Sequence, residues 1–418
     1  MTPEEAVAYV EGLDILGMRF GLERMHRALE ALGDPHRAYP CIHVVGTNGK
    51  TSTTCMAAAV LQAHGLRCGA YVSPHVMGWT DRTLLGGRAL APEAFAAAVG
   101  AVRDAVGGLA LAPDDGVTQF EVLTAAAFLA LAEDGVDAAV IEAGLGGRWD
   151  ATNVLDGGRV TVLTNISLEH TELLGDTITA IAGEKLAVAP DGSDRLVVGR
   201  LGDGAAEVEA VMAARRLDGW RLDRDFGFTG DALHCGDRVF EGVQVGARGA
   251  FQRDNAAVAV AAAHRFTGGT LEADRVRGAL REVRVPGRLE VFPGTPAVVL
   301  DGAHNPAGMA ALVAALPEAL GGTRPVAVVS VLADKDAHAM LAVLAPACEA
   351  VIATRSAHRR AADPAAVAAA ARAAGAPAEI AAHPAAALER ARGLAGPGGV
   401  VLVCGSLYLL AELRAGLM

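Results

Sequence analysis

The stretch that most constrains the fold is Ile42-His43-Val44-Val45-Gly46-Thr47-Asn48-Gly49-Lys50-Thr51-Ser52. An apolar run rich in Val and Ile enters a glycine-containing turn, meets Lys and two hydroxyls, and continues into an Ala-rich segment of helical character. That order predicts strand, phosphate loop and helix. The first N–H groups of a helix lack intrahelical partners and bind phosphate oxygens. Gly46 and Gly49 permit the close backbone approach a phosphate needs, and Lys50 supplies fixed positive charge. Thr51 and Ser52 offer hydroxyls to a phosphate oxygen or a magnesium ion. Only Thr47 and Asn48 separate the two glycines, a shorter gap than the usual phosphate loop carries, so the stretch alone also fits an ordinary strand-to-helix turn.

A chain of 418 residues has room for more than one domain. Its net charge of −12 excludes a global basic field of the kind that grips nucleic acid or an anionic membrane, while leaving room for a local cationic pocket. The start, Met1-Thr2-Pro3-Glu4-Glu5, is acidic where a signal peptide is basic, and no long purely apolar run suggests a membrane span. The expectation is a cytoplasmic enzyme. Six cysteines are scattered without a Cys-x-x-Cys pair, so they read as reduced, buried small hydrophobes and not as a zinc site.

Residues 1–40 have helix-like spacing at Val7, Val10 and Leu13, then at Met25, Leu29 and Leu32. A helix is expected after the phosphate loop to about His64, then a strand from Cys68 running into Ser73-Pro74-His75. Asp81 and Arg82 fall in a polar, Gly-rich section read as a loop. Helices follow at Pro92 to Val106 and from Thr118-Gln119-Phe120-Glu121. Buried-strand patterns recur at 137–142, with Glu142 at the C-terminal end, at 160–166 close to Glu169 and His170, and at 196–198. Strands alternating with helices predict a mainly parallel sheet covered on both faces, with ligands beyond the strands' C-terminal ends. Ser73, Glu142, His170 and the phosphate loop would share that edge.

From about 219 to 248 short alternating stretches with Gly and Asp turns predict a small antiparallel insertion. Val285-Pro286-Gly287-Arg288 reads as a hinge. Beyond it, strand-like runs at 297–300, 326–332, 350–354 and 400–403 predict a second, smaller Rossmann-like α/β unit, and the Ala-rich section 361–389 has helical spacing. The expected domains are 1–285 and 286–418.

Nine segments in order now resemble the folylpolyglutamate synthase/dihydrofolate synthase family of the Mur ligase superfamily: HVVGTNGKTS at 43–52, YVSPH at 71–75, TQFEVLT at 118–124, EAGLGGRWDATNV at 142–154, LTNISLEHTELLGDTITAIAGEK at 163–185, QRDNAA at 252–257, VPGRLE at 285–290, LDGAHNP at 300–306 and VCGSLYLL at 403–410. The resemblance implies an ATP-dependent ligase of the acid–amino-acid type. Such enzymes phosphorylate the carboxyl of dihydropteroate, or the terminal glutamate carboxyl of a folate, and the amine of L-glutamate then attacks the acyl phosphate. A carboxylate must approach a triphosphate, so cations have to cancel repulsion and stabilise the transferring phosphoryl group.

The resemblance also implies roles. Lys50 holds the outer phosphates, with Gly46, Thr47, Asn48, Gly49, Thr51 and Ser52 forming the cradle; Thr51 is closer to the cell-wall ligases, since folate-type members carry glycine there. Ser73 and Glu121 match magnesium ligands, Glu121 having a simpler reading as a helix-start carboxylate. His170 matches a ligand of a second magnesium. Lys185 matches a lysine that is carbamylated, which turns an ammonium into a carboxylate able to help that second ion; its amine must be neutral to add carbon dioxide, so burial near cations would help. Gln252 and Asn255 resemble positions near the nucleotide, although the family's His-Gln pair is Phe251-Gln252 here. Arg288 resembles an arginine on the γ-phosphate, Asp301 and His304 face nucleotide and incoming amino acid, and Arg82 is a candidate for pteridine contact.

In this reading the first domain grips triphosphate and metals, the second, glutamate-ligase domain brings Arg288, Asp301 and His304, and closure joins them. A cell-wall Mur ligase would carry a further N-terminal domain for a UDP sugar, and the 45 residues before Gly46 leave it no room. A phosphate-loop kinase would need no amino-acid acceptor. A monomer is expected by resemblance, with small-molecule partners and neither nucleic acid nor membrane.

Overall fold

Runs of Val, Ile and Ala without polar alternation suit strands buried on both faces, as a parallel sheet requires. The computed structural model describes residues 1–13, 20–109, 116–156 and 159–417. The chain divides into two units, one of Met1–Pro74, Trp79–Gly246 and Arg253–Val283, the other of His75–Gly78, Ala247–Gln252 and Arg284–Met418.

The first unit is built on β1 (Cys41–Val45), β2 (Cys68–Tyr71), β3 (Thr83–Leu85), β4 (Arg88–Ala89), β5 (Ala138–Glu142), β6 (Val160–Leu163), β7 (Leu196–Val198) and β8 (Gly219–Arg221). Their order in the sheet is β4-β3-β2-β5-β1-β6-β7-β8. From β2 to β8 the neighbours run parallel, while β3 and β4 add an antiparallel hairpin at one edge. The register sets Val44 beside Glu142 on one side and Val162 on the other, so the segments leaving β1, β5 and β6 emerge together. The chain after β1 turns toward β2, and the chain after β6 turns the other way toward β7. This makes the β1–β6 crevice a topological switch point, where open α/β sheets bind ligands.

The Pro3–Gly12, Glu23–Ala31, Pro92–Gly107 and Gln119–Glu133 helices and, farther across the sheet, Ile178–Leu186 and Ala205–Ala214 pack on one face, the one that carries Cys41, Val45, Ile141 and Leu163. Of the helical run expected over 1–40, the part at 14–19 lies outside the described residues. The loop expected around Asp81 and Arg82 is a 3₁₀ turn, Trp79–Arg82, leading into the β3–β4 hairpin. The antiparallel insertion is β9 (Phe226–Thr229), β10 (Ala232–Cys235) and β11 (Arg238–Phe240), in the order β11-β10-β9. The stretch from 219 was expected within it, yet Gly219–Arg221 pairs parallel with β7 and extends the large sheet. A three-residue strand is too short for its sequence to declare a partner.

The second unit contains β12 (Glu290–Phe292), β13 (Ala297–Leu300), β14 (Val326–Val329), β15 (Ala350–Ala353), β16 (Ala378–Ile380) and β17 (Val400–Cys404), in the order β12-β13-β17-β14-β15-β16. All neighbours are parallel except β12 with β13. The section 361–389, read as having helical spacing, carries two helices, Pro364–Ala373 and Pro384–Ala395, with β16 between them. Among the described residues, no helix is long and apolar enough to cross a membrane. None of the six cysteines is in a disulfide, and burial pushes Cys41, Cys68, Cys235 and Cys348 up to about 12, which leaves these four inert.

A polar network inside the first unit ties β1 to the loop after β5. The Thr152 hydroxyl donates to Asp150 and accepts from Nε2 of His43 at 2.8 Å. Nδ1 of His43 is buried and has no hydrogen-bond partner among the described residues, so the ring is held neutral. Burial, helped by Arg159, pushes its pKa down to about 3. The unfolded chain therefore binds a proton at this histidine below pH 6.5 that the folded chain refuses until about pH 3. The stability involved is fully present above 6.5 and falls with pH, by about 1.4 kcal/mol per unit. The expected outcome is that wild type loses about 2 kcal/mol of its margin over His43→Gln between pH 7 and pH 5, read from urea unfolding. An unchanged margin would show that His43 titrates normally.

Candidate active site

The loop following β1 is shaped before any ligand arrives. Gly49 caps the Lys50–Ala63 helix with φ at 84°, a left-handed conformation that side chains resist. A Cβ at this position would lie 2.5 Å from the Asn255 Oδ1, so the residue must also be small. The segment after β6 clamps the loop from the side. Thr47 N–H donates to the Asn165 carbonyl at 3.0 Å, and Asn48 N–H donates to the Asn165 side-chain oxygen at 2.8 Å. The Thr164 hydroxyl donates to the Asn48 carbonyl at 2.6 Å, and Ser167 N–H donates to the Thr47 hydroxyl at 3.1 Å.

Two ammonium groups meet on one carbonyl. Lys50 donates to Gly46 O at 3.0 Å and Thr47 O at 3.1 Å, and Lys185 donates to the same Gly46 O at 2.9 Å. Lys185 is also 3.0 Å from Glu169 Oε1, and it is 1 % exposed. Burial lowers the Lys185 pKa against the pull of Glu169, and Lys50 adds to the lowering. For Glu169, burial works against ionisation, but Lys185 and then Lys50 outweigh it and hold the carboxyl at about 2.

Glu142, at the C-terminal end of β5, is buried and reaches the same loop. It accepts from the Thr51 hydroxyl at 3.1 Å and from the Ser73 N–H at 3.3 Å. Ser52 is buried at the helix start, and His170, in a left-handed conformation with φ at 47°, opens the short Thr171–Leu174 helix beside Glu169. Among the described residues no group of three or more His, Cys, Asp or Glu side chains is gathered to hold a metal by itself. A hard cation here would instead draw on hydroxyls, one carboxylate and the phosphates of a nucleotide, the donor set magnesium prefers. The Thr51, Ser73 and Glu142 oxygens fit that requirement.

Glu121, expected as a magnesium ligand, has both carboxylate oxygens engaged. Its Oε2 accepts from Thr118 N–H at 2.7 Å, completing a capping box, and Oε1 is 3.1 Å from the buried Arg24 guanidinium. A carboxylate so engaged serves helix and core. Arg82 is buried with its guanidinium 5.0 Å from the Trp79 ring centre. Asn255 lies against Gly49, within the first unit.

In the second unit, Gln252 is fully buried. Asp301 follows β13 directly and is buried, accepting from Leu289 N–H and Ala303 N–H, both at 2.9 Å. Burial raises its pKa against the opposing Arg288. The Arg288 guanidinium occupies the space a side chain on Gly302 would fill. Leu289 has φ at 44°, and the Asp301 carboxylate holds this costly left-handed backbone in place. His304 Nδ1 donates to the Gly302 carbonyl at 2.8 Å, which fixes its tautomer.

Sequence reasoning placed Glu142 at the ligand edge yet gave it no role, and gave none to Glu169, Thr164 or Asn165. The signal for Glu142 was present: a lone carboxylate closing a buried strand next to the phosphate-loop strand.

Comparison with known proteins gives the same picture. Residues 44–198 match the Mur ligase middle domain, and residues 287–407 match the Mur ligase glutamate ligase domain. The dihydrofolate synthase/folylpolyglutamate synthase of Mycobacterium tuberculosis is 36% identical over 380 residues, covering 82% of this chain and 77% of that protein. Folylpolyglutamate synthase from that organism, solved with ADP, gives a TM-score of 0.91 at 32% identity over 99% of each chain. The bifunctional enzyme of Yersinia pestis, solved with AMPPNP and a manganese ion, gives 0.87 at 30% identity over 100% of this chain and 98% of its own.

The buried pair beneath the loop generates a prediction. Glu169→Leu strands the Lys185 ammonium and should destabilise the fold by about 3–5 kcal/mol in urea unfolding. Combining it with Lys185→Met should recover much of that loss, because no charge is then left buried alone. Additive losses in the double variant would show that the two residues are uncoupled.

Proposed function

The chain belongs to the Mur ligases, within the folylpolyglutamate synthase/dihydrofolate synthase family, and from that membership we propose that it joins L-glutamate to dihydropteroate, to the terminal glutamate of folates, or to both, with cleavage of ATP to ADP and phosphate. The observation that carries this reading is the phosphate loop with two ammonium groups, Lys50 and Lys185, on the Gly46 carbonyl. It is a site built to receive phosphate charge. The match of residues 287–407 to a glutamate ligase domain favours amino-acid transfer over simple phosphoryl transfer to water or a hydroxyl.

The residue assignments follow the charges. Backbone N–H groups at the start of the Lys50–Ala63 helix take the phosphate oxygens, and Lys50 leaves its carbonyl partners to pair with the outer phosphates. Thr51, Ser73 and Glu142 would hold a magnesium ion, and His170 would serve a second one. Bound there, magnesium withdraws electron density from the phosphoryl group and neutralises its charge. Gln252 and Asn255 are assigned to nucleotide contact, Arg82 to the pterin side, and Arg288, Asp301 and His304 to the γ-phosphate and the entering glutamate. The order is attack of the substrate carboxylate on the γ-phosphorus with release of ADP, then attack of the glutamate amine on the acyl carbon with release of phosphate. The amine must lose a proton in the second step, and His304 is assigned as its acceptor. Carbamylation of Lys185, a monomeric state and a cytoplasmic location belong to the proposal as family expectations.

The test is ADP release by the purified protein with dihydropteroate or a reduced folate offered separately, each with glutamate and magnesium. Multiple-turnover release that requires both acid and glutamate is expected; sustained turnover without glutamate, beyond one equivalent of ADP per enzyme, would overturn the ligase reading. Lys50→Ala should abolish turnover with the fold intact. Glu142→Gln should lower kcat by about 10²–10³ and raise the magnesium requirement, as loss of a group acting on transition-state charge does. Glu121→Gln should lower stability and leave the magnesium requirement unchanged. The opposite pattern would return the metal to Glu121.

A further inference from the structure

Far from the phosphate loop, the first unit contains a cavity of about 500 Å³ lined by Arg195, Arg238, Arg265, His264 and Trp220. Arg195 precedes β7 and Trp220 lies on edge strand β8, whereas the loop follows the interior strand β1. Asn255 touches the phosphate loop and Arg265 lines the cavity, both on the Ala250–Phe266 helix. At the helical rise they are about 15 Å apart.

The charges here are arranged unlike those of an ordinary solvated surface. Surface arginines in this chain commonly pair with carboxylates, as Arg221 does with Glu209 and Arg390 with Glu379. Arg238 and Arg265 form no ion pair among the described residues. Arg238 donates to the Leu271 carbonyl at 3.0 Å and Arg265 donates to the Asp194 carbonyl at 2.6 Å. Each partner satisfies only part of a five-donor guanidinium. Nε of Arg265 is buried without a hydrogen-bond partner, and so is Nδ1 of His264, a residue 7 % exposed. Trp220 organises the group: the His264 ring lies 5.4 Å from it and the Arg265 guanidinium 5.1 Å, so the cationic fork is held in place before a ligand arrives. Asp194 and Asp237 also line the cavity, leaving three arginines against two carboxylates.

We propose that this cavity is a second ligand site, specific for a compact small molecule bearing clustered phosphate or carboxylate groups. Pre-oriented guanidinium groups bind either kind of oxyanion bidentately, and the volume suits a small organic polyanion. The site stands apart from the ligation reading and does not depend on it.

The experiment uses the full chain labelled with 5-fluorotryptophan, which reports on Trp79, Trp149 and Trp220 by fluorine NMR, with Trp220→Phe assigning the local signal. Excess ADP in metal-free buffer occupies the phosphate loop, and inorganic pyrophosphate and tri-γ-glutamate are titrated separately. The expected result is a saturable shift of the Trp220 signal with at least one of them, weakened about tenfold by Arg238→Gln while ligation stays at the wild-type rate. Response to pyrophosphate alone assigns a phosphate ligand, and response to tri-γ-glutamate alone assigns a polycarboxylate. Arg265→Gln should act in the same direction, but Arg265 also packs on Trp220, so Arg238→Gln decides. A Trp220 signal that moves with neither titrant, or that moves equally in Arg238→Gln, overturns the proposal.

Discussion

A single peptide carbonyl, that of Gly46, carries the electrostatics of the phosphate site. Both Lys50 and Lys185 donate to it. Two ammonium groups converging on one neutral acceptor repel each other, and the arrangement holds because Glu169 is buried against Lys185. The carboxylate offsets one charge and leaves the other, on Lys50, to the loop. Lys185 is locked by burial, whereas Lys50 has carbonyl partners that a phosphate can replace at little cost. The mobile cation and the fixed one are thus separated by their partners, although both reach the same oxygen.

The rest of the first unit supports that arrangement through the sheet. Register brings Val44, Glu142 and Val162 abreast, so three strand ends deliver the loop, the Glu142 carboxylate and the 164–170 segment to one crevice. The clamps from Thr164, Asn165 and Ser167 then fix the backbone of residues 47 and 48. The second unit uses the same device on a smaller scale. Asp301 leaves β13, and its two carboxylate oxygens are occupied by Leu289 N–H and Ala303 N–H. They orient the turn that carries Arg288, so Asp301 acts on local backbone whatever else it contacts.

How much of this was legible depended on whether the signal was local. The phosphate loop, the parallel strands and the boundary helices declare themselves because each is a run of apolar residues next to a defined turn. Several of the shortest strands do not: Arg88–Ala89, Gly219–Arg221, Glu290–Phe292 and Ala378–Ile380 owe their state to neighbours distant in the chain. The site shows the same division. Lys50 and Ser73 are readable from motif spacing. For Glu121, a motif match does not reveal that Arg24, 97 positions away, bonds its carboxylate. Glu169 was passed over for the reverse reason, since nothing near it in sequence announces a buried lysine partner.

The charge balance also limits what can happen at Lys185. As an ammonium it compensates Glu169; as a carbamate it would be an anion beside that anion, in a buried place where like charges are costly. The change from +1 to −1 replaces an attraction with a repulsion, and the single charge of nearby Lys50 would then face two buried anions. Carbamylation proposed for this residue is therefore coupled to added positive charge. A divalent cation near His170 and Glu169 would stabilise the carbamate, and the carbamate would strengthen the hold on that cation, each by the same factor. Without the cation, the Lys185–Glu169 ion pair is the favoured state. In that proposal the modification and the metal would arrive as one unit, and the burial that lowers the Lys185 pKa makes the neutral amine, which reacts with carbon dioxide, easier to reach.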